Sequence, residues 1–468
     1  MSSVGMVISS EGSEIDVLVK SEQVELGTIL KISDSYGIVA YMLYKEDEKI
    51  GSKQKLIARV QIFGKVSDGN LARIKRPIEP YTEVLLANKE ELEGILSSES
   101  NISMGRVYGT EARAFLNPAE YDRHLAILAS TGAGKSYAAA NLIKEFSSLG
   151  LPVIVVDTHG EYPKLLSKCV EKSTIIDIHT VKHPKQGYKE LKIPVSELSA
   201  EDFSHFIYLN ETQKSALGLI LDRLSGREFL LQDIIGECDN VDNDVIHEET
   251  AKALKRRLMG LDRIFKNVFD KLGTDIVGMV KPYQITVIDA SYASQGVRQA
   301  VVSYISKELL QGRIRKENQM ENGVEFPLLL VVEEAHNYCS AKLSHSCKYQ
   351  LQRIASEGRK FGLGLCVISQ KPSKIDEEIL SQCNTGIYMH ITNPNDKDHI
   401  RKSFESINDE IIKDLDSLDV GECIVAGAMN RIPFLVCDVD RIEVEKEKHK
   451  KFDFKVAQKV EVAGFGYA

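Results

Sequence analysis

The residues best equipped for chemistry lie in one short stretch, Ala129-Ser130-Thr131-Gly132-Ala133-Gly134-Lys135-Ser136. Four apolar residues, Leu125 to Leu128, precede it. Tyr137 to Leu149 follow with small and apolar side chains, until Gly150 and Pro152 stop the run. That order predicts a buried strand, a glycine-containing loop and a helix, the arrangement that cradles the phosphates of ATP. Backbone N–H groups of Ser130, Thr131, Gly132, Ala133, Gly134, Lys135, Ser136 and Tyr137 would curl round phosphate oxygens at a helix N-terminus, whose partial positive charge favours an anion. Lys135 is placed to reach the β- and γ-phosphates, and Ser136 to ligate Mg²⁺. The usual pattern opens on glycine, and here Ala129 stands in its place; alanine tolerates positive φ poorly, so the turn out of the strand is expected to differ slightly.

Three further strand tips carry polar groups suited to the same chemistry. Leu328-Leu329-Leu330-Val331-Val332 is apolar enough to be buried on both faces, and Glu333-Glu334-Ala335-His336-Asn337 follows at its C-terminal end. Glu333 is assigned to the Mg²⁺ shell, and Glu334 to the general base that orients and deprotonates the attacking water. His336 and Asn337 fit local capping as well as they fit catalysis. Val153 to Val156 lead to Asp157 and then Glu161. A central parallel strand delivers such residues to the ligand edge of an α/β sheet, so Asp157 is read as a nucleotide-site residue, against the plainer reading of a helix cap, and Glu161 as a neighbour of the site or a surface charge. Leu363 to Ile368 end in Ser369-Gln370, and Gln370 is read as the side chain that senses the γ-phosphate. Arg359, in Glu357-Gly358-Arg359-Lys360, is the candidate for a cation inserted into a neighbouring subunit's site, with Lys360 and Arg353 as alternatives and a helix-end cation as the structural reading.

These tips need a parallel sheet with helices between its strands, which makes the core an α/β fold. Residues 1–100 are different: Val4–Ile8, Ile15–Val19, Gly27–Ile32, Gly37–Leu43, Lys55–Phe63 and Glu83–Ala87 read as short strands separated by glycine, serine and charged turns, which predicts a small β-barrel. Residues 101–440 form the core, with Thr385–Ile391, Cys423–Ala426 and Phe434–Val439 closing the sheet. Helical spacing of leucine and isoleucine predicts a helical insertion over about 194–282, and residues 441–468 form a charged C-terminal extension. The cluster Lys45 to Lys49 reads as a solvated hairpin tip, and Lys252 to Arg257 as a solvated helix face rather than a DNA contact.

Composition narrows the partners. A chain of 468 residues with 43% hydrophobic content has room for two or three packed domains. It shows no apolar run of about 18 residues and no leader pattern, so no membrane association is expected and the cytoplasm is the expected location. Its eight cysteines contain no Cys-x-x-Cys pair and read as reduced core residues; Cys339, His345 and Cys347 lack the fourth ligand a zinc site needs. The net charge of −9 argues against an outer surface that coats nucleic acid, although a ring can be acidic outside and basic in its channel, where Lys342 and Lys348 are candidate lining residues.

Taken together, the chain resembles the HerA-type ATPases of the FtsK/HerA group over nearly its whole length. The resemblance rests on the short-stranded N-terminal region, similar to the family's HAS-barrel, on Asp122-Arg123-His124-Leu125 before the phosphate loop, on Val156-Asp157-Thr158-His159-Gly160-Glu161-Tyr162, on Glu333 to Asn337, on Glu357 to Gly362, and on Ile368-Ser369-Gln370-Lys371-Pro372-Ser373-Lys374-Ile375. It implies a RecA-like P-loop ATPase core, a homo-hexameric ring round double-stranded DNA, helicase or translocase activity in DNA end resection and double-strand break repair, and a NurA-type nuclease as partner. It implies ATP and Mg²⁺ binding by Lys135 and Ser136, water activation by Glu334, and action of Arg359 in the adjacent subunit. Lys371 stands where the family often has arginine, which touches only a secondary phosphate contact. Two alternatives share the core: a nucleotide-gated assembly protein that does not move along DNA, and a conjugation- or segregation-type DNA pump, which the missing membrane segment disfavours. A small-molecule kinase fits least, since no acceptor lid is evident.

Overall fold

The computed structural model describes residues 3–46, 54–67, 70–74, 76–171, 173–181, 183, 185–342, 346–405 and 407–443. Asp47 to Lys49 of the charged cluster, His345, and nearly all of the expected C-terminal helix and tail lie outside them.

The N-terminal strands close on themselves. Gly5–Glu11 pairs with Glu14–Val19 and with Glu83–Leu86, Glu14–Val19 pairs across to Gln54–Ser67, and Ile29–Ile32 and Ser35–Glu46 complete a six-stranded antiparallel ring. Alternation sorts its side chains, since successive residues of a strand face opposite ways. Val39 joins Val7, Val17, Val60 and Val84 inside the barrel, while its neighbours Ile38 and Ala40 belong to the larger core outside. Gly27 marks how closely the two pack: a Cβ there would lie 2.2 Å from a methyl of Val436.

The rest of the chain is organised on one 12-stranded sheet. From Lys189–Glu190 its order runs Ile175–Thr180, Gln284–Asp289, Val153–Asp157, Leu328–Val332, Leu363–Ser369, Leu125–Leu128 and Thr385–Tyr388, all parallel. Glu422–Gly427, Phe434–Val439, Ile102–Val107 and Arg113–Leu116 then extend it antiparallel. Parallel neighbours require crossovers; Lys135–Ser148, Tyr162–Cys169 and Gln295–Glu317 are among the helices that provide them. The expected closing strands are present. Ile175–Thr180, Ile102–Val107 and Arg113–Leu116 were not expected, because their polar residues interrupt the apolar pattern.

The insertion is helical as expected, with Ala200–Phe206, Glu211–Leu224, Leu231–Glu237 and Glu248–Ile264. Phe265 and Phe269 stack at 4.6 Å between centroids at its base. On Glu248–Ile264, Lys252 pairs with Glu248, Lys255 with Asp239, and Arg257 lies over the Tyr208 ring, so three of the four cations of that basic stretch have partners on the helix surface. Lys348 pairs with Asp376 at 2.6 Å with its side chain largely buried, which removes it as a channel candidate, whereas Lys342 is exposed.

Candidate nucleotide site

Four neighbouring strands, Val153–Asp157, Leu328–Val332, Leu363–Ser369 and Leu125–Leu128, point their C-terminal ends at one edge of the sheet. The phosphate loop leaves the last of them. Gly132 and Gly134 take φ of +84° and +103°, conformations that favour glycine, and a Cβ on Gly134 would come within 3.3 Å of the Met389 methyl. Ala129 is not among the residues with positive φ. It is buried, and its N–H donates to the Ser369 carbonyl at 3.2 Å, one bond to the neighbouring strand beyond the end of its own at Leu128. The expected disturbance at Ala129 is therefore absent, because this turn does not ask that residue for a left-handed conformation. Sequence reasoning missed the support beneath the loop: Ser130 N–H donates to the His390 carbonyl at 2.9 Å, and Gly421 N–H to Ala133 at 3.1 Å.

The two glutamates come together through a backbone device. Consecutive strand residues face opposite ways, but Glu334 has φ +50° and ψ +44°, which ends the strand and turns its side chain back. One ligand atom each of His159, Glu333 and Glu334 then falls within 4.8 Å of the others. Lys135 Nζ sits 2.6 Å from Glu334 Oε1, and Gln370 Nε2 donates to the same oxygen at 2.9 Å. Gln370 in turn accepts from the Thr131 hydroxyl. His159 Nε2 lies 3.8 Å from Glu334, and His336 Nδ1 3.2 Å. His159 was overlooked in the sequence although it shares a stretch with Asp157 and Glu161.

Glu333 is 1% exposed and accepts the Thr158 N–H at 3.0 Å. Burial, reinforced by the nearby Asp157, pushes its carboxyl up to about 8. An acid held this dry gains strongly from a cation. Glu334 is 3% exposed, and its Oε2 has no hydrogen-bond partner among the described residues. A buried, unsatisfied acceptor beside a convergent acid and a phosphate loop fits a site completed by Mg²⁺ and water. Ser136 donates to Glu161 Oε2 at 3.1 Å rather than meeting Glu333, which brings Glu161 into the site as well. Tyr137 is partly exposed at the first turn of the helix.

Asp157 stands at the tip of its strand beside Glu333, with its carboxylate turned to the loop that follows. Its Oδ1 accepts the His159 and Gly160 N–H groups at 3.1 and 2.7 Å, and its Oδ2 accepts Tyr162 N–H at 3.0 Å. Fully buried, it shapes the loop that carries His159 and Glu161 and leads into the helix Tyr162–Cys169. It is not the helix's N-cap, a position held by Glu161.

Arg359 is not brought to these residues. It lies on the turn Gly358–Phe361, at the far end of Leu363–Ser369 from Gln370. Seven strand residues put the two roughly 20 Å apart. The cation is exposed on the opposite edge of the sheet from its own phosphate loop. The cysteines are thiols: Cys339 and Cys347 donate to the carbonyls of Ala335 and Tyr338, and burial pushes Cys347 up to about 12.

Residues 102–309 match the family described as "Helicase HerA, central domain". The chain is 31% identical over 408 residues to the DNA double-strand break repair helicase HerA of Sulfurisphaera tokodaii, covering 82% of this chain and 78% of that one. It is 32% identical over 381 residues to the protein of the same name from Saccharolobus solfataricus, covering 75% and 71%. Among solved structures, VirB4 of Thermoanaerobacter pseudethanolicus aligns with a TM-score of 0.53 at 17% identity, over 74% of this chain and 98% of that one. The plasmid coupling protein TrwB in complex with ADP and Mg²⁺ aligns at 0.51 and 13% identity, over 77% and 93%. At such identities the two structures bear on the fold alone, a P-loop ATPase core.

Proposed function

Because this chain belongs to the HerA helicase family, we propose that it is an ATP-driven, ring-forming motor on double-stranded DNA, acting in end resection during break repair beside a NurA-type nuclease. ATP hydrolysis by a helicase or translocase is the activity common to this reading. The observation that carries the hydrolytic part is the convergence of Lys135 and Gln370 on one oxygen of Glu334, whose other oxygen is buried without a hydrogen-bond partner.

The residues divide the work as follows. Loop amides between Thr131 and Ser136 bind the phosphates, whereas the expected Ser130 and Tyr137 N–H groups are given to the His390 and Gly134 carbonyls, and Lys135 transfers its ammonium from Glu334 to the β- and γ-phosphates. That exchange frees Glu334 to orient a water and take its proton, while Gln370, tied to both Glu334 and Thr131, registers whether the γ-phosphate is present. Ser136 and Glu333 would hold Mg²⁺, with His159 and Glu161 at hand. Mg²⁺ held there would supply neutralisation of the phosphate charge. Arg359, too far from its own loop, stabilises transition-state charge in the next subunit of a homo-hexamer. In this reading residues 1–100 are a barrel that steadies the ring and offers the nuclease a face, 101–440 are the motor with its insertion at about 194–282, and 441–468 are an extension.

No helix of the described residues is long and apolar enough to cross a membrane. The pump alternative has support only from the shared fold, whereas the repair helicases share about twice as much sequence identity with the chain.

Steady-state ATP hydrolysis with and without linear duplex DNA tests the proposal, in wild type beside Glu334→Gln and Arg359→Ala. Duplex should raise the wild-type rate, and each substitution should lower it by about 10²-fold or more. DNA contacts made to phosphates should weaken steeply with salt and little with sequence. A rate indifferent to DNA across a range of salt, with the nuclease present, would leave the nucleotide-gated assembly protein as the better account.

A further inference from the structure

The turn that displays Arg359 is gripped by side chains for which the reaction has given no use so far. His124 stands immediately before the phosphate-loop strand, and its ring spans both ends of that turn. Nδ1 accepts the Leu365 N–H at 3.0 Å, and Nε2 lies 3.0 Å from the Ala355 carbonyl. An amide N–H can only donate, so Nδ1 is the bare nitrogen and Nε2 carries the proton given to Ala355. The ring also lies beside the residue preceding the cation: a Cβ on Gly358 would come within 3.6 Å of His124 Cε1. His124 is 2% exposed and holds φ at +60°, a strained conformation for a residue with a side chain.

Two more groups hold the same backbone. The Tyr121 hydroxyl donates to the Gly362 carbonyl at 3.0 Å, and Arg313, itself 3% exposed, donates from Nε to the Phe361 carbonyl at 2.6 Å. Arg359 and Lys360, by contrast, are exposed. An exposed cation on a turn pinned by three side chains from two elements is already organised for a distant target. Such placement matters because a shift of about 1 Å in a group aimed at a reacting centre can cost ~10²-fold in rate.

We propose that His124 is a positioning residue that locks the Arg359 turn to the phosphate-loop strand of its own subunit, so that the cation reaches the neighbouring subunit's nucleotide from a fixed place. This rests on the reading of Arg359 as acting across a subunit interface. A subunit with a disturbed His124 therefore keeps a competent nucleotide site and loses only what it offers its neighbour.

Complementation in mixed rings separates that defect from simple loss of structure. His124→Phe keeps the ring's bulk and removes both hydrogen bonds. Full-length His124→Phe alone should fall about 100-fold in kcat, with KM for ATP changed less than about threefold. Co-assembled with Glu334→Gln subunits, whose own site is dead and whose turn is intact, it should regain at least about tenfold over either variant alone. Co-assembly with Arg359→Ala should give no recovery. His124→Gln, which can both accept from Leu365 and donate to Ala355, should restore much of the rate. The proposal is overturned if His124→Phe keeps wild-type kcat. It is also overturned if its rings with Glu334→Gln stay silent while Arg359→Ala with Glu334→Gln recovers, because the defect then lies in its own site. If Arg359→Ala with Glu334→Gln also fails to recover, the interfacial reading itself falls. Should His124→Phe not assemble, His124→Asn, too short to hold both Leu365 and Ala355, is put through the same mixtures, and recovery with Arg359→Ala subunits as large as with Glu334→Gln overturns the proposal.

Discussion

At the scale of single residues, burial decides which protonation state each polar group keeps. His124 is held neutral: burial, helped by the positive charge of Arg359, brings its imidazole down to about 4. The unfolded chain would bind a proton at the ordinary value near 6.5, so between those values it holds more protons than the folded one. Stability from this group is therefore full above about pH 6.5 and is lost as pH falls through about 4, amounting to at most ~3 kcal/mol. The melting temperature of the wild type should drop across that window, and His124→Gln should show a shallower drop. Equal slopes in thermal scans between pH 4 and 7 would remove His124 as the cause. Glu333 shows the same force acting on an acid: burial pushes its carboxyl up to about 8 and favours the neutral form until a cation arrives.

At the scale of elements, the phosphate loop shows which backbone positions are constrained and which are free. Gly134 needs its φ of +103°, and a Cβ there would press on the Met389 methyl at 3.3 Å. Gly134→Ala should lower affinity for an ATP analogue by about tenfold or more and cost on the order of 1–3 kcal/mol in stability. Ala129→Gly should do almost nothing for binding and cost under about 1 kcal/mol, through the extra freedom of the unfolded chain. Analogue titration and chemical denaturation of both variants check the pair; improved binding by Ala129→Gly would mean that the missing glycine matters after all. The same distinction explains Glu334, whose left-handed turn at a strand's end costs energy locally and places both acids on one side.

At the scale of the whole molecule, the barrel is seated on the sheet through close contacts rather than tethered by a linker. The helix Lys89–Leu96 buries Leu92, Ile95 and Leu96 in the larger core, and Gly27 meets Val436 with no room for a side chain. Gly27→Ala, strained by its φ of +79° and by that contact, should destabilise the chain by about 1–3 kcal/mol. It should also raise proteolysis near the junction. Unchanged melting and an unchanged digest would show that the seam yields easily.

Much of this was legible in the chain itself. The barrel strands, the helical insertion, the phosphate loop and the two acids of the Leu328–Val332 strand all announce themselves through local order: alternation, helical period, or an apolar run with polar residues at its end. Lys135, Ser136, Glu334 and Gln370 could be named because their types and their places at strand tips follow from that order. What sequence could not supply is anything set by partners far along the chain. The flanking strand Ile102–Val107 was missed because polar residues interrupt its apolar pattern and its pairing with Phe434–Val439 spans more than 300 residues. The convergence of Glu333 and Glu334 required a backbone turn that no residue type dictates. The grip of His124 on the Arg359 turn joins positions brought together by the parallel pairing of Leu125–Leu128 with Leu363–Ser369, so only the packed sheet could reveal it.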